Sequence, residues 1–169
     1  MKHLLTTITA ALMIVGAAHA QVPSMDPPEE IMNLKWMVGD WSAQGKFDMM
    51  GTASDTKVTM TNSFDGQFLK SVSSFDFGTF KMDETQYMGW NAAKSQYSSW
   101  AFANMSPEPR IEHGKMTGDT LVMTSEPWQG TTGRVTLTKV SDTKMKFTLE
   151  FQNGEKWEKA TDMEFTKKV

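Results

Sequence analysis

The stretch LKWMVGDWSAQGKF, Leu34 to Phe47, carries the reading of the fold. Its apolar residues recur at helical spacing, stop at Gly39, and give way to alternation from Trp41 onward. Just upstream, Pro27 and Pro28 followed by Glu29 and Glu30 suit a helix start. Proline is tolerated in the first turn, and carboxylates favour the positive end of the helix dipole. Ile31, Leu34 and Val38, with Met37, then mark one face, and Gly39 is a good terminator. The expectation is one short helix of about two to three turns, ending where Gly39-Asp40-Trp41 enters a strand.

Beyond Gly39 the chain reads as strands. Val58 and Met60 alternate with Thr59 and Thr61, Val135 and Leu137 stand among threonines, and Met145, Phe147, Leu149 and Phe151 alternate with polar residues. Trp157, Thr161, Met163 and Phe165 share one parity. Such period-two patterning marks antiparallel strands with one dry face. Turn signals separate them: Asp65-Gly66, Gly78, Asn91 to Lys94, Gly118-Asp119, Gly130 to Gly133, Ser141-Asp142 and Asn153-Gly154. Roughly nine or ten strands fit between Asp40 and the end at this spacing. No second helix of any length is present in the pattern, which excludes a parallel βαβ topology. Closing a meander removes its exposed edges. The expected fold is therefore all-β: a single antiparallel up-and-down barrel of about ten strands with a short N-terminal helix as plug.

The first twenty residues have another purpose. Lys2 and His3 precede an apolar run from Leu4 to Ala17, and Ala18-His19-Ala20 is the small-x-small pattern of a cleaved signal peptide. The run is shorter than the ~20 apolar residues a spanning helix needs; the rival reading is an uncleaved amphipathic anchor. The expected organisation is a signal peptide over 1–20, a Pro-rich flexible segment over 21–28, and one barrel domain over 29–169. The protein is thus expected to be exported, periplasmic or secreted, with no stable membrane anchor.

Removing twenty residues from 169 leaves 149, the size of one ordinary domain. There are no cysteines, so packing must hold the fold without disulfides or a lipid anchor. Losing Lys2 leaves 16 Lys and Arg against 20 Asp and Glu. That balance argues against a nucleic-acid partner. Losing His3 and His19 leaves His113 as the one histidine, too few for a multi-histidine metal site. No metal and no cofactor are expected.

The opening motif also carries a resemblance. A short helix, Gly39-x-Trp41 at the entry of the first strand, and a meander after it resemble the calycin architecture of lipocalins and fatty-acid-binding proteins. That resemblance implies Trp41 packed across the closed end of the barrel, beneath a basic side chain from the last strand, Lys167 or Lys168. LKWMVGDWSAQGKF, FDGQFLKS (64–71) and YMGWNAAKSQYSSW (87–100), with the Gly118 to Leu121 turn, are similar to the bacterial family catalogued as domain of unknown function fifteen seventy-nine. It implies a calycin-like barrel over roughly residues 31 to 165 and no settled activity. Nitrobindin-like haem barrels share the Gly-x-Trp opening but place an axial histidine near the C-terminus. This chain has none after His113, which argues against haem.

Individual residues divide between bland and functional readings. Gly39 and Trp41 are assigned structural roles, since buried aromatics mostly contribute packing. His113 is the weak catalytic candidate, the one side chain whose unperturbed pKa lies near neutrality. Consecutive strand residues face opposite ways, so Glu112 cannot pair with it unless a bulge intervenes. His113 shares parity with Ile111, which hints at an inward position, while Gly114 is a candidate bulge. Asp83-Glu84 reads as a solvated hairpin. Met49-Met50, in the loop between the first two strands, reads either as a flexible lid over the mouth or as a contact for an apolar partner.

The leading functional expectation is a barrel that binds a small apolar or amphipathic ligand, lined by Trp90, Trp100, Phe102, Met123, Phe147 and Phe151. Arg134 is the cation expected to meet a ligand carboxylate. The alternatives are a small-molecule hydrolase or isomerase using His113, and a surface-interaction or chaperone-like module with a packed core. The sequence sets no oligomeric state.

Overall fold

A computed structural model describes residues 26–49 and 51–168 of the chain. The signal peptide, the start of the segment after it, and the Met49-Met50 lid expectation lie outside the described residues or side chains. Ten antiparallel strands run in order: β1 (Gly39–Met49), β2 (Thr52–Asp65), β3 (Phe68–Asp76), β4 (Lys81–Asn91), β5 (Gln96–Ala103), β6 (Arg110–Thr117), β7 (Thr120–Ser125), β8 (Gly133–Ser141), β9 (Lys144–Asn153) and β10 (Lys156–Lys167). Each pairs with its neighbours in sequence, and β1 pairs with β10 to close the barrel. The up-and-down expectation holds. Several hairpins turn on glycines at positive φ, such as Gly66, Gly118 and Gly154, a conformation that costs glycine little.

The N-terminal plug differs from the expected helix. A single α-turn, α1 (Glu29–Met32), is followed by a separate 3-10 turn over Lys35–Met37. The buried residues explain the tighter winding. Ile31, Leu34 and Met37 are all buried and recur every three residues, the period of a 3-10 helix rather than of an α-helix. One apolar edge of this plug seals the end where β1 begins.

Trp41 is wholly buried at that end. Its indole Nε1 donates to the Met37 carbonyl at 2.7 Å, and the Lys167 ammonium lies 5.3 Å over its ring. Of the two lysines expected there, Lys167 takes the place. Gly39 has φ 123°, and a Cβ on it would meet the Lys167 side chain at 2.5 Å. Glycine is required for two reasons, the backbone conformation and the passing lysine. The motif ends in Gly-x-Trp because it both turns the chain and lets the last strand cover the first.

Two register details correct the sequence pattern. A bulge between Lys159 and Thr161 shifts β10 against β9, so Ala160 and Thr161 are both buried. Trp157 consequently leaves the inner face despite sharing parity with Met163. Gly114, the candidate bulge, is in register with Tyr97 on β5 and Met123 on β7. It is glycine because β7 approaches so closely: an added Cβ would meet the Val122 carbonyl oxygen at 1.9 Å and the Met123 Cα at 2.8 Å.

Candidate functional site

The inner wall of the barrel has two unlike halves. From β8 round to β2 it is mainly apolar, with Leu149, Phe147, Met163, Phe165, Ala43 and Val58 facing inward beside the buried Thr56, Asn62 and Thr161. Across β3 to β7 a polar track of Ser73, Glu84, Gln86, Ser99, Glu112 and Ser125 runs between the apolar Leu69, Met88, Leu121 and Met123. Register links these residues step by step: Ser71 to Gln86, Ser73 to Glu84, Gln86 to Ala101, Ala101 to Arg110, Ser99 to Glu112, and Glu112 to Ser125. Residues directly opposite in an antiparallel pair share a face, so the track is continuous.

Its centre is Arg110. Nη1 and Nη2 donate to the two oxygens of Glu84 at 2.8 and 3.2 Å, and Nε donates to Glu112 Oε1 at 2.9 Å. Glu112 Oε2 accepts from Ser99 Oγ at 2.9 Å and from Gln86 Nε2 at 2.8 Å. Gln86 Nε2 also donates to Ser99 Oγ at 3.1 Å. Glu84 and Glu112 are buried, 8% and 3% exposed. Desolvation opposes the Arg110 charge, but the adjoining Glu84 and Glu112 carboxyls more than reverse that, holding its pKa above the ordinary value. The Trp128 ring lies 5.9 Å from the guanidinium, and its Nε1 donates to the Glu108 carbonyl at 3.2 Å. The β7–β8 connection thus folds back onto the cation.

β5 makes room for this network. Its inward residues after Tyr97 are small, Ser99, Ala101 and Ala103, and all are buried. Its large residues, Trp100 and Phe102, face outward and are 38% and 52% exposed. These two were expected in the lining, and the structure puts them on the outer wall. Trp100 pairs there with Tyr87, which meets Phe68 edge-on at 6.2 Å. Arg134 is a further correction: it lies on the outer face, bonded to Glu150 at 2.8 Å and stacked 4.3 Å over Trp157. The hydrophilic Asp83-Glu84 pair reads as a solvated hairpin, and alternation against His113 puts Glu112 outside. Both are inside because Arg110 meets them there.

The other expected lining residues do face inward. Phe147 packs edge-on against Phe165 at 5.9 Å, Phe151 pairs with Gly133 near the mouth, and Met123 is fully packed. Phe147, Leu149 and Phe151 remain only half-buried although they point into the barrel. Trp90 lies at the plug end and lines a cleft of about 490 Å³ with Glu30, Asn33, Tyr97, Lys115 and Met116. The Tyr97 hydroxyl donates there to the Glu30 carbonyl at 2.9 Å, and burial, with Glu30 nearby, pushes its pKa up. A second cleft of about 460 Å³ lies near the far ends of β1 and β2, with Gln44, Lys46, Thr56 and Asp76 on its walls. At that same end Phe77 meets Phe47 edge-on at 5.4 Å and stacks on Phe80 at 4.6 Å. This aromatic cap comes from the β3–β4 hairpin.

His113 is on the outer face, paired in register with Ser98 and Thr124, which overturns the inward hint. Its Nδ1 lies 3.0 Å from Ser98 Oγ and its Nε2 3.2 Å from Glu126 Oε1. Glu112, its chain neighbour, points away, as alternation requires. Among the described residues no group of three or more His, Cys, Asp or Glu is placed to hold a metal ion. No helix among them is long and apolar enough to cross a membrane.

No family model matches the chain, and no curated protein matches it. The solved structure described as "Crystal Structure of Rv2717c from M. tuberculosis" is similar, with a TM-score of 0.62 at 11% identity, covering 85% of this chain and 100% of that one. At that identity the likeness shows the shared barrel fold alone.

Proposed function

We propose that this protein is an exported binding barrel that holds a small amphipathic molecule in its interior. The observation that carries the reading is the division of the inner wall. An apolar half with half-buried Phe147, Leu149 and Phe151 faces a fixed polar network around Arg110. Small-molecule sites combine a mainly apolar lining with a few convergent polar groups, and a barrel of this size can enclose a ligand. The network is held by bonds among three neighbouring strands, β4, β5 and β6, so it is organised before any ligand arrives.

An anilinonaphthalene probe tests this. Its emission should rise saturably with protein, and the melting temperature should rise with probe concentration, because a ligand of the folded state stabilises it by mass action. Phe151→Trp and Leu149→Trp, which fill the apolar half, should abolish the signal while leaving the protein folded. Unchanged binding in both variants would place the probe elsewhere and defeat the reading.

A second reading, acyl transfer at His113, has the Ser98–His113–Glu126 chain of contacts behind it. Against it stands the burial of Ser98, 3% exposed on a convex outer wall, where a nucleophile needs access. Turnover of short-chain nitrophenyl esters that is lost in both Ser98→Ala and His113→Gln would make this reading the better one.

A further inference from the structure

We infer that the interior selects ligands by a hydrogen-bond donor, and favours an ammonium-bearing amphiphile over a carboxylate of the same shape. This rests on the binding-barrel reading above and names the chemical class that such a barrel would take.

The inference follows from which donors and acceptors of the network are already used. Both N–H groups of Gln86 Nε2 are engaged, one by Ser99 Oγ and one by Glu112 Oε2, and the Ser99 hydroxyl donates to Glu112. Arg110 directs three of its five N–H groups, one each from Nε, Nη1 and Nη2, at carboxylate oxygens. Its ring partner Trp128 lies over the guanidinium. The interior cation therefore already has its anions.

More acceptor capacity than donor capacity is left over. A carboxylate offers about four lone-pair positions. Glu84 accepts two bonds and Glu112 accepts three. Charge points the same way, since two carboxyl groups oppose one guanidinium. A ligand carboxylate would meet repulsion at this wall, whereas an ammonium would meet attraction in a setting of low effective dielectric.

An independent observation lies on the same inner track. Asn62, 2% exposed, donates Nδ2 to the Met37 carbonyl at 2.9 Å, yet its Oδ1 has no hydrogen-bond partner among the described residues. It stands on the inward face of β2, opposite Ser71, which in turn faces Gln86. A buried acceptor without a donor is destabilising. A ligand N–H or O–H delivered at this end of the track supplies the missing bond. Both the charged centre and the buried amide thus ask for a donor.

The test uses decylamine, decanol and decanoate at neutral pH, below their micelle concentrations, as competitors of the anilinonaphthalene probe bound to the full-length exported protein. Decylamine should displace the probe at a concentration at least about tenfold lower than decanoate, with decanol between them. Glu84→Gln and Glu112→Gln, each checked for folding by circular dichroism, should narrow the amine-to-decanoate ratio several-fold and leave decanol nearly unmoved. The wild-type series stands alone if either variant fails to fold. Decanoate equal to or better than decylamine overturns this inference and leaves the binding-barrel reading intact. A probe that does not bind the wild type overturns that reading and this inference together.

Discussion

The indole Nε1 of Trp41 donates to the carbonyl oxygen of Met37 across 2.7 Å, tying the first strand to the plug that precedes it. The same carbonyl accepts from Asn62 Nδ2 at 2.9 Å. One backbone oxygen in the plug therefore anchors β1 and β2, while Lys167 of β10 covers the ring from the other side. Trp41→Ala removes a fully buried aromatic at this junction and should cost about 3–5 kcal/mol, a large share of a typical domain's stability. Trp41→Phe keeps most of the packing and should cost less. Chemical denaturation of both variants checks the order; a Trp41→Ala protein melting within a couple of degrees of wild type would contradict it.

Arg110 should be far more sensitive than an ordinary surface arginine. Arg110→Met leaves Glu84 and Glu112 buried without their cation, and breaking such a pair typically costs about 3–5 kcal/mol. Adding Glu84→Gln and Glu112→Gln to that variant removes the uncompensated charge and should recover a substantial part of the loss. Melting temperatures of the single and triple variants measure this. The raised pKa of Arg110 implies a contribution that is fully present below its unfolded value and lost only above its folded one. No pH dependence from Arg110 should therefore appear between acid and mildly alkaline conditions.

Gly114 and Gly45 offer a matched comparison. Gly114→Ala places a methyl group against the β7 backbone, at 1.9 Å from the Val122 carbonyl oxygen, so strands must separate. A cost of about 1–3 kcal/mol or more follows from such overpacking. Gly45→Ala meets the Met163 Cγ at 2.9 Å, part of a flexible side chain that can move. Thermal melts should show a clear loss for the first and a small one for the second.

Asp162 receives Lys159 at 3.0 Å and Lys146 at 3.3 Å, and the hydrogen bond from Lys159, with support from Lys146, lowers its pKa. A depressed carboxylate contributes stability above its unfolded pKa and loses it as pH falls through the folded value. Solvent screening keeps the effect small. Asp162→Asn should lower the melting temperature by about a degree or two at neutral pH. The two curves should converge in strong acid, and high salt should shrink the gap.

Export is tested by intact mass. Cleavage after Ala20 predicts a chain that begins at Gln21, as glutamine or as its cyclised pyroglutamate form. Native protein that still begins at Met1 would refute the signal-peptide reading.

The sequence by itself determined the barrel, its hairpins and the closure at Trp41. Those features depend on local signals: period-two alternation along a strand, glycines where a turn needs positive φ, and one Gly-x-Trp whose spacing links helix to strand. The calycin resemblance narrowed the covering lysine to Lys167 or Lys168, and the closed barrel seats Lys167. The interior was not. Alternation assigns polar residues to the water side, so Glu84 and Glu112 read as exposed until Arg110 is seen to meet them from another strand. Trp100 and Phe102 read as lining for the converse reason, and the small Ser99, Ala101 and Ala103 that alternate with them are what open space for the network. Parity also fails across the Lys159/Thr161 bulge, which turns Trp157 outward to stack on Arg134. Which face a strand turns inward depends on partners far along the chain, and only the closed barrel brings those partners together.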